Sequence, residues 1–88
     1  MLDEIANILK EYPDYNIRIG GHADGIEKNP TTISESRADA VKSYLLSKGV
    51  ADSRTATTGF SKTRPAASNA NETGRGQNRR VELELYVR

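Results

Sequence analysis

The chain has 88 residues, enough for one domain, of which 35% are hydrophobic, and its mean hydropathy is −0.69. It has no Cys, which excludes a disulfide framework and any cysteine-ligated zinc site, and no apolar run approaches the ~20 residues of a membrane-spanning helix. The net charge of +1 is uneven: residues 1–53 carry nine acids against six bases, while residues 54–80 carry six bases against Glu72 alone. A basic stretch in a nearly neutral chain points to an anionic ligand or to a solvated basic loop, rather than to nucleic acid. No basic segment followed by an apolar one opens the chain, so no secretory leader is expected in it.

Leu2, Ile5, Ala6 and Leu9 recur at helical spacing and predict an amphipathic helix that stops before Pro13. Tyr15, Ile17 and Ile19 alternate with polar residues and predict a strand, ended by Gly20-Gly21, where the backbone can be approached closely. Residues 22–32 read as a loop with turn signals at Asp24-Gly25 and Asn29-Pro30. A second helix follows, with Thr32-Ile-Ser-Glu35 as a capping box or Ser34 as the cap, an apolar face at Ala38, Val41 and Leu45, and Lys48-Gly49 as its end. Residues 54–59 are a weaker strand, and residues 60–78 read as one long ordered loop. Val81, Leu83, Leu85 and Val87 alternate with Glu82, Glu84 and Tyr86 in a final strand. The expected class is α+β, with two helices packed on one face of a small mixed β-sheet.

Arg37 is the residue the pattern explains least. With Ser34 as the cap it falls in the first turn of the second helix, where a cation faces the positive end of the helix dipole. A helix N-terminus combined with an Arg fork is also a carboxylate receptor. Asp24, in the loop just before, either neutralises Arg37 in a structural salt bridge or receives the ammonium of a zwitterionic ligand. His22 is the only His, so His22-Ala-Asp24 supports neither a metal site nor a Ser-His-Asp triad, and it reads as a strand-end ring that packs or bonds to the backbone. Gly74-Arg-Gly-Gln-Asn78 lacks the Lys and hydroxyl of a P-loop. Arg79 and Arg80 point in opposite directions and, with Arg75, read as loop-to-sheet anchors, while Asn78 ties the turn. No aromatics interleave with these bases, so nucleic acid is not an expected partner. Neither catalysis, a metal nor a cofactor is expected.

In order, the chain contains Gly21-His-Ala-Asp24, Ile33-Ser-Glu-Ser-Arg37-Ala38, Gly59-Phe-Ser, Pro65-Ala-Ala-Ser-Asn69 and Gly74-Arg-Gly-Gln-Asn78-Arg-Arg-Val81-Glu82. This set resembles the OmpA-like C-terminal domain, the peptidoglycan-associating module of envelope proteins, lipoproteins and flagellar stator subunits. The resemblance covers nearly the whole chain, from Leu2 to Val87, and implies a single domain, 1–88, excised from a larger envelope protein. It implies a β/α/β/α/β sandwich here lacking the family's first strand. It also implies non-covalent binding of the peptidoglycan stem peptide through its diaminopimelate residue, gripped by Asp24 and Arg37. Ile33 and Ser34 would line the pocket and Arg79 would lie beside it. The implied location is the periplasm, with membrane attachment only through the parent protein. Ala23 stands where the family has Thr, and Pro30 where it has Asn. These departures motivate the alternative expectation, an OmpA-like fold that has lost its ligand and serves a structural or protein-interaction role.

Overall fold

The computed structural model describes residues 2–87. The elements run in the order α1 (Leu2–Glu11), β1 (Tyr15–Gly21), α2 (Pro30–Ser47), a 3₁₀ turn (Asp52–Arg54), β2 (Thr55–Gly59), α3 (Glu72–Asn78) and β3 (Val81–Val87). Among the described residues the strands form one sheet in the order β2-β1-β3. The pair β1–β2 is parallel, with Ile17 opposite Thr55 and Gly21 opposite Gly59. The pair β1–β3 is antiparallel, with Tyr15 opposite Val87 and Gly21 opposite Val81. A parallel pair needs a crossover connection, and α2 supplies it. The mixed α+β class and the two long helices match the sequence-based expectation.

Strand alternation decides what the core contains. Ile17 and Ile19 are fully buried, while Arg18 between them is exposed on the opposite face. Ala6 and Leu9 from α1, Ala38 and Leu45 from α2, and Val50 complete the buried cluster, with Ile5, Tyr15, Val41, Val81 and Leu83 packed around it. Each fully buried Leu or Ile contributes roughly 1.5–3 kcal/mol of transfer free energy. The small residues set the spacing. A Cβ on Gly21 would sit 1.8 Å from the Ser34 carbonyl oxygen, so β1 and α2 meet backbone to backbone there. Arg54 closes the base of the sheet by donating to the carbonyls of Tyr12 and Tyr15.

The end of α2 follows expectation in detail. Gly49 has φ +95, its N–H donates to the Leu46 carbonyl, and the Val50 N–H donates to that of Leu45. That is a complete Schellman ending, with Val50 and Leu45 both in the core.

Two expectations need correction. The second helix starts at Pro30 rather than at the Thr32 or Ser34 cap, because Asn29 adopts a left-handed conformation and proline's fixed φ suits the first helical position. Arg37 therefore lies two turns inside α2, away from the first-turn N–H groups. The second correction concerns residues 60–78, which contain α3 rather than loop alone. Asn71 caps α3, its side chain accepting from the Gly74 N–H at 2.7 Å.

Candidate functional site

The C-terminal end of β1 runs straight into residues 22–24, and the surrounding backbone fixes that extension on two sides. The His22 N–H donates to the Arg80 carbonyl, and the Ala23 N–H donates to the Ser61 carbonyl. Asp24 emerges from this clamp only 1% exposed. Its Oδ1 accepts from the N–H groups of Ile26 (2.9 Å) and Glu27 (2.8 Å), folding residues 24–27 into a turn. Its Oδ2 accepts from Arg79 Nη1 at 2.9 Å.

Glu27 answers Asp24. Its Oε1 accepts from the Asp24 N–H at 2.9 Å, so the two acids cap one another's backbone across three residues, as in a capping box. The same carboxylate takes Arg37 in a two-pronged pair, Nη1 to Oε1 and Nη2 to Oε2, both at 2.8 Å. Arg37 Nη1 also donates to the His22 carbonyl at 2.9 Å. The pair is largely shielded, with side chains 27% and 16% exposed for Arg37 and Glu27. Such a fork is the strongest common form of Arg–carboxylate contact.

Arg79 bridges Asp24 to Glu72 at the start of α3, and Glu72 in turn meets Arg75. Arg75 also donates to the Asn69 carbonyl, and Asn69 Oδ1 accepts from the Gly25 N–H. The loop before α3 is thereby tied to the Asp24 turn. Asn78 holds that loop from beneath: Oδ1 accepts from Ala66 and Ala67, and Nδ2 donates to the Ala67 carbonyl and to Asn69. Asn78 does tie the turn, as its position in the sequence suggests.

The ionisation states follow from these contacts. Arg37 holds the Glu27 carboxyl below its ordinary range, outweighing burial. Burial opposes ionisation of Asp24, but the Ile26 and Glu27 N–H groups and Arg79 together lower its pKa. Arg79 likewise lowers Glu72, and Glu72 raises Arg79. All three acids are carboxylates at neutral pH.

Of the site residues named from the sequence, Asp24, Arg37 and Arg79 gather around one turn, with different pairings from those expected, whereas Ile33 and Ser34 make their contacts elsewhere. Asp24 holds Arg79, and Arg37 holds Glu27. Ser34 is fully buried, donating to the Thr31 carbonyl and accepting from the Ser61 N–H, so it pins α2 to the turn after β2. Ile33 is half-buried, and its N–H is committed to the Asn29 carbonyl within the helix. Glu27 is the residue that sequence reasoning missed. Its signal was the Asp24-x-x-Glu27 spacing, which matches a reciprocal cap but precedes no apolar run of its own.

His22 packs as expected of a strand-end ring. It is 2% exposed and stacks on Phe60 at 5.0 Å between centroids, with Nε2 3.2 Å from Glu82 Oε1. Burial, then Arg80, lower its pKa against the pull of Glu82. A groove of about 440 Å³ lies beside it, lined by Arg18, Gly20, Phe60, Arg64, Glu82, Leu83 and Glu84. That groove shares no residue with the Asp24–Arg37 cluster, whose ion pairs carry the denser chemistry. Among the described residues no group of acids and His has the arrangement of a metal site, and no helix is long and apolar enough to cross a membrane.

Comparison with known proteins agrees with this architecture. The sequence profile of the OmpA family matches residues 1–79. Outer membrane porin F of Pseudomonas fluorescens is 42% identical over 83 residues, covering 92% of this chain and 26% of that protein. The peptidoglycan-binding protein ArfA of Mycobacterium tuberculosis is 41% identical over 85 residues, covering 94% of this chain and 26% of that protein. The chain thus spans about a quarter of the length of these relatives. The crystal structure of the peptidoglycan-associated lipoprotein from Burkholderia pseudomallei superposes with a TM-score of 0.92 at 30% identity, covering 97% of this chain and 74% of that one. The family profile spans most of the chain, and relatives more than 40% identical cover over nine-tenths of it: the chain belongs to the OmpA family.

Proposed function

We propose that this domain is a non-catalytic binding module that holds peptidoglycan through the diaminopimelate-type residue of its stem peptide, anchoring a parent envelope protein to the cell wall from the periplasm. The observation that carries the reading is the part-buried cluster of Asp24, Glu27, Arg37 and Arg79 at the end of β1. Two acids on one turn, met by guanidinium groups from α2 and from the end of α3, match a ligand end that carries an ammonium and a carboxylate together. Support comes from relatives named for peptidoglycan binding or association. Arg37 is the ligand-facing group, Asp24 and Arg79 brace the turn beside it, half-buried Ile33 lies one turn earlier on α2, and buried Ser34 holds that helix in place.

One observation favours the alternative, a fold that has lost its ligand. Every charged group of the cluster already has an internal partner, Arg37 through Glu27 and Asp24 through Arg79. Co-sedimentation with purified peptidoglycan separates the two readings. The anchoring reading expects the protein in the pellet at low salt and its release by free diaminopimelate. Protein that stays in the supernatant supports the structural role instead.

A further inference from the structure

We infer that Glu27 is a specificity-determining residue: its carboxylate occupies Arg37 in the free protein, and a zwitterionic head group inserts between them, giving its carboxylate to Arg37 and its ammonium to Glu27. This rests on the peptidoglycan-binding reading and adds to it a residue and a selection rule. The fork that Glu27 makes with Arg37, with both contacts at 2.8 Å, is the geometry a ligand carboxylate would take. Glu27 therefore stands in for the ligand.

Asp24 is poorly placed to change partners. Three hydrogen bonds engage its two oxygens, and the residue is 1% exposed. Glu27 closes the same turn with its side chain 16% exposed against 1% for Asp24, next to Ile26, which is 69% exposed, and two residues before left-handed Asn29. The Asp24 N–H to Glu27 Oε1 bond tethers the acid near the site when Arg37 lets go.

Charge balance sets the selection. A zwitterion that separates Glu27 from Arg37 leaves every charge paired. A simple carboxylate that takes Arg37 leaves two carboxylates side by side, and a simple amine that takes Glu27 leaves Arg37 facing an ammonium. The site thus prefers ligands with both groups on one carbon over ligands with either alone.

Calorimetric titration of the whole domain with meso-diaminopimelate, pimelate and pentane-1,5-diamine tests this, using wild type, Glu27→Gln and Glu27→Asp. Circular dichroism first confirms that each variant is folded. Wild type should bind diaminopimelate and discriminate against pimelate by about tenfold or more. Glu27→Gln should bind pimelate more tightly than wild type does and lose that discrimination, whereas Glu27→Asp should keep it. If Glu27→Gln, or Glu27→Asp alone when the Gln variant does not fold, departs from this pattern while wild type binds diaminopimelate, the role of Glu27 is overturned and the binding reading survives. If wild type binds none of the three probes, the binding reading falls and the inference with it.

Discussion

Gly21 shows how a single side chain would decide the geometry around the site. A methyl group there would lie 1.8 Å from the Ser34 carbonyl oxygen and 3.0 Å from the Ala38 nitrogen, both of them backbone atoms of α2. Helix and strand would have to separate, and Arg37 rides on that helix. Gly21→Ala should lower stability by about 1–3 kcal/mol, read as a lower denaturant midpoint. His22, the next residue, supplies a pH signal of its own as the only His in the chain. Its folded pKa lies below the ordinary 6.5, because burial and Arg80 disfavour the cation. As pH falls through 6.5 the unfolded chain takes up a proton that the folded chain resists, so stability declines. Asp24, Glu27 and Glu72, all lowered, add a second loss that begins as pH falls below their ordinary values of 3.8 and 4.5. Urea titrations across pH 3–8 should show both declines, and His22→Gln should remove only the first. Asp24 and Arg37 were legible as singular residues from spacing and charge alone. Their partners were not, because Arg79 lies 55 residues from Asp24 and the Glu27–Arg37 fork depends on where α2 begins.

At the level of elements, periodic patterns were readable and tertiary helices were not. The apolar alternation of β3 and the helical spacing of α1 are local properties, and both elements appear where the sequence places them. The Gly49 ending of α2 was equally plain. Its start was obscured by several residues able to cap a helix, and Pro30 with Asn29 settled the position. The short helix α3 has seven residues, two of them Gly, so its intrinsic preference for helix is poor. It exists because Asn71 caps it and its last residue, Asn78, is fully buried with four hydrogen bonds to the preceding loop and its flank. Asn78→Ala would strand the N–H groups of Ala66 and Ala67. The expected cost is about 2–3 kcal/mol, accompanied by faster proteolysis within residues 60–71 than in wild type. A variant as stable and as resistant as wild type would show that this loop does not depend on Asn78.

For the molecule as a whole, the uneven charge of the sequence is resolved in part within the fold. Arg79 pairs with Asp24 from the acidic half, Arg54 closes on the Tyr12 and Tyr15 carbonyls, and Arg80 meets Glu82 and the Arg64 carbonyl. Three bases of the stretch, Arg75, Arg79 and Arg80, thus pair with acids inside the protein, while Arg54 is taken up by carbonyl groups and Arg64 lies over the Phe60 ring. What remains chemically distinctive is the shielded cluster at the end of β1, with Arg37 at its centre. The decisive measurement is the sedimentation of wild type and Arg37→Ala with purified peptidoglycan, both confirmed folded at the assay temperature. Wild type should pellet and be released by diaminopimelate, and Arg37→Ala should bind at least about thirtyfold more weakly. Arg37→Ala pelleting as well as wild type would contradict this assignment of the site.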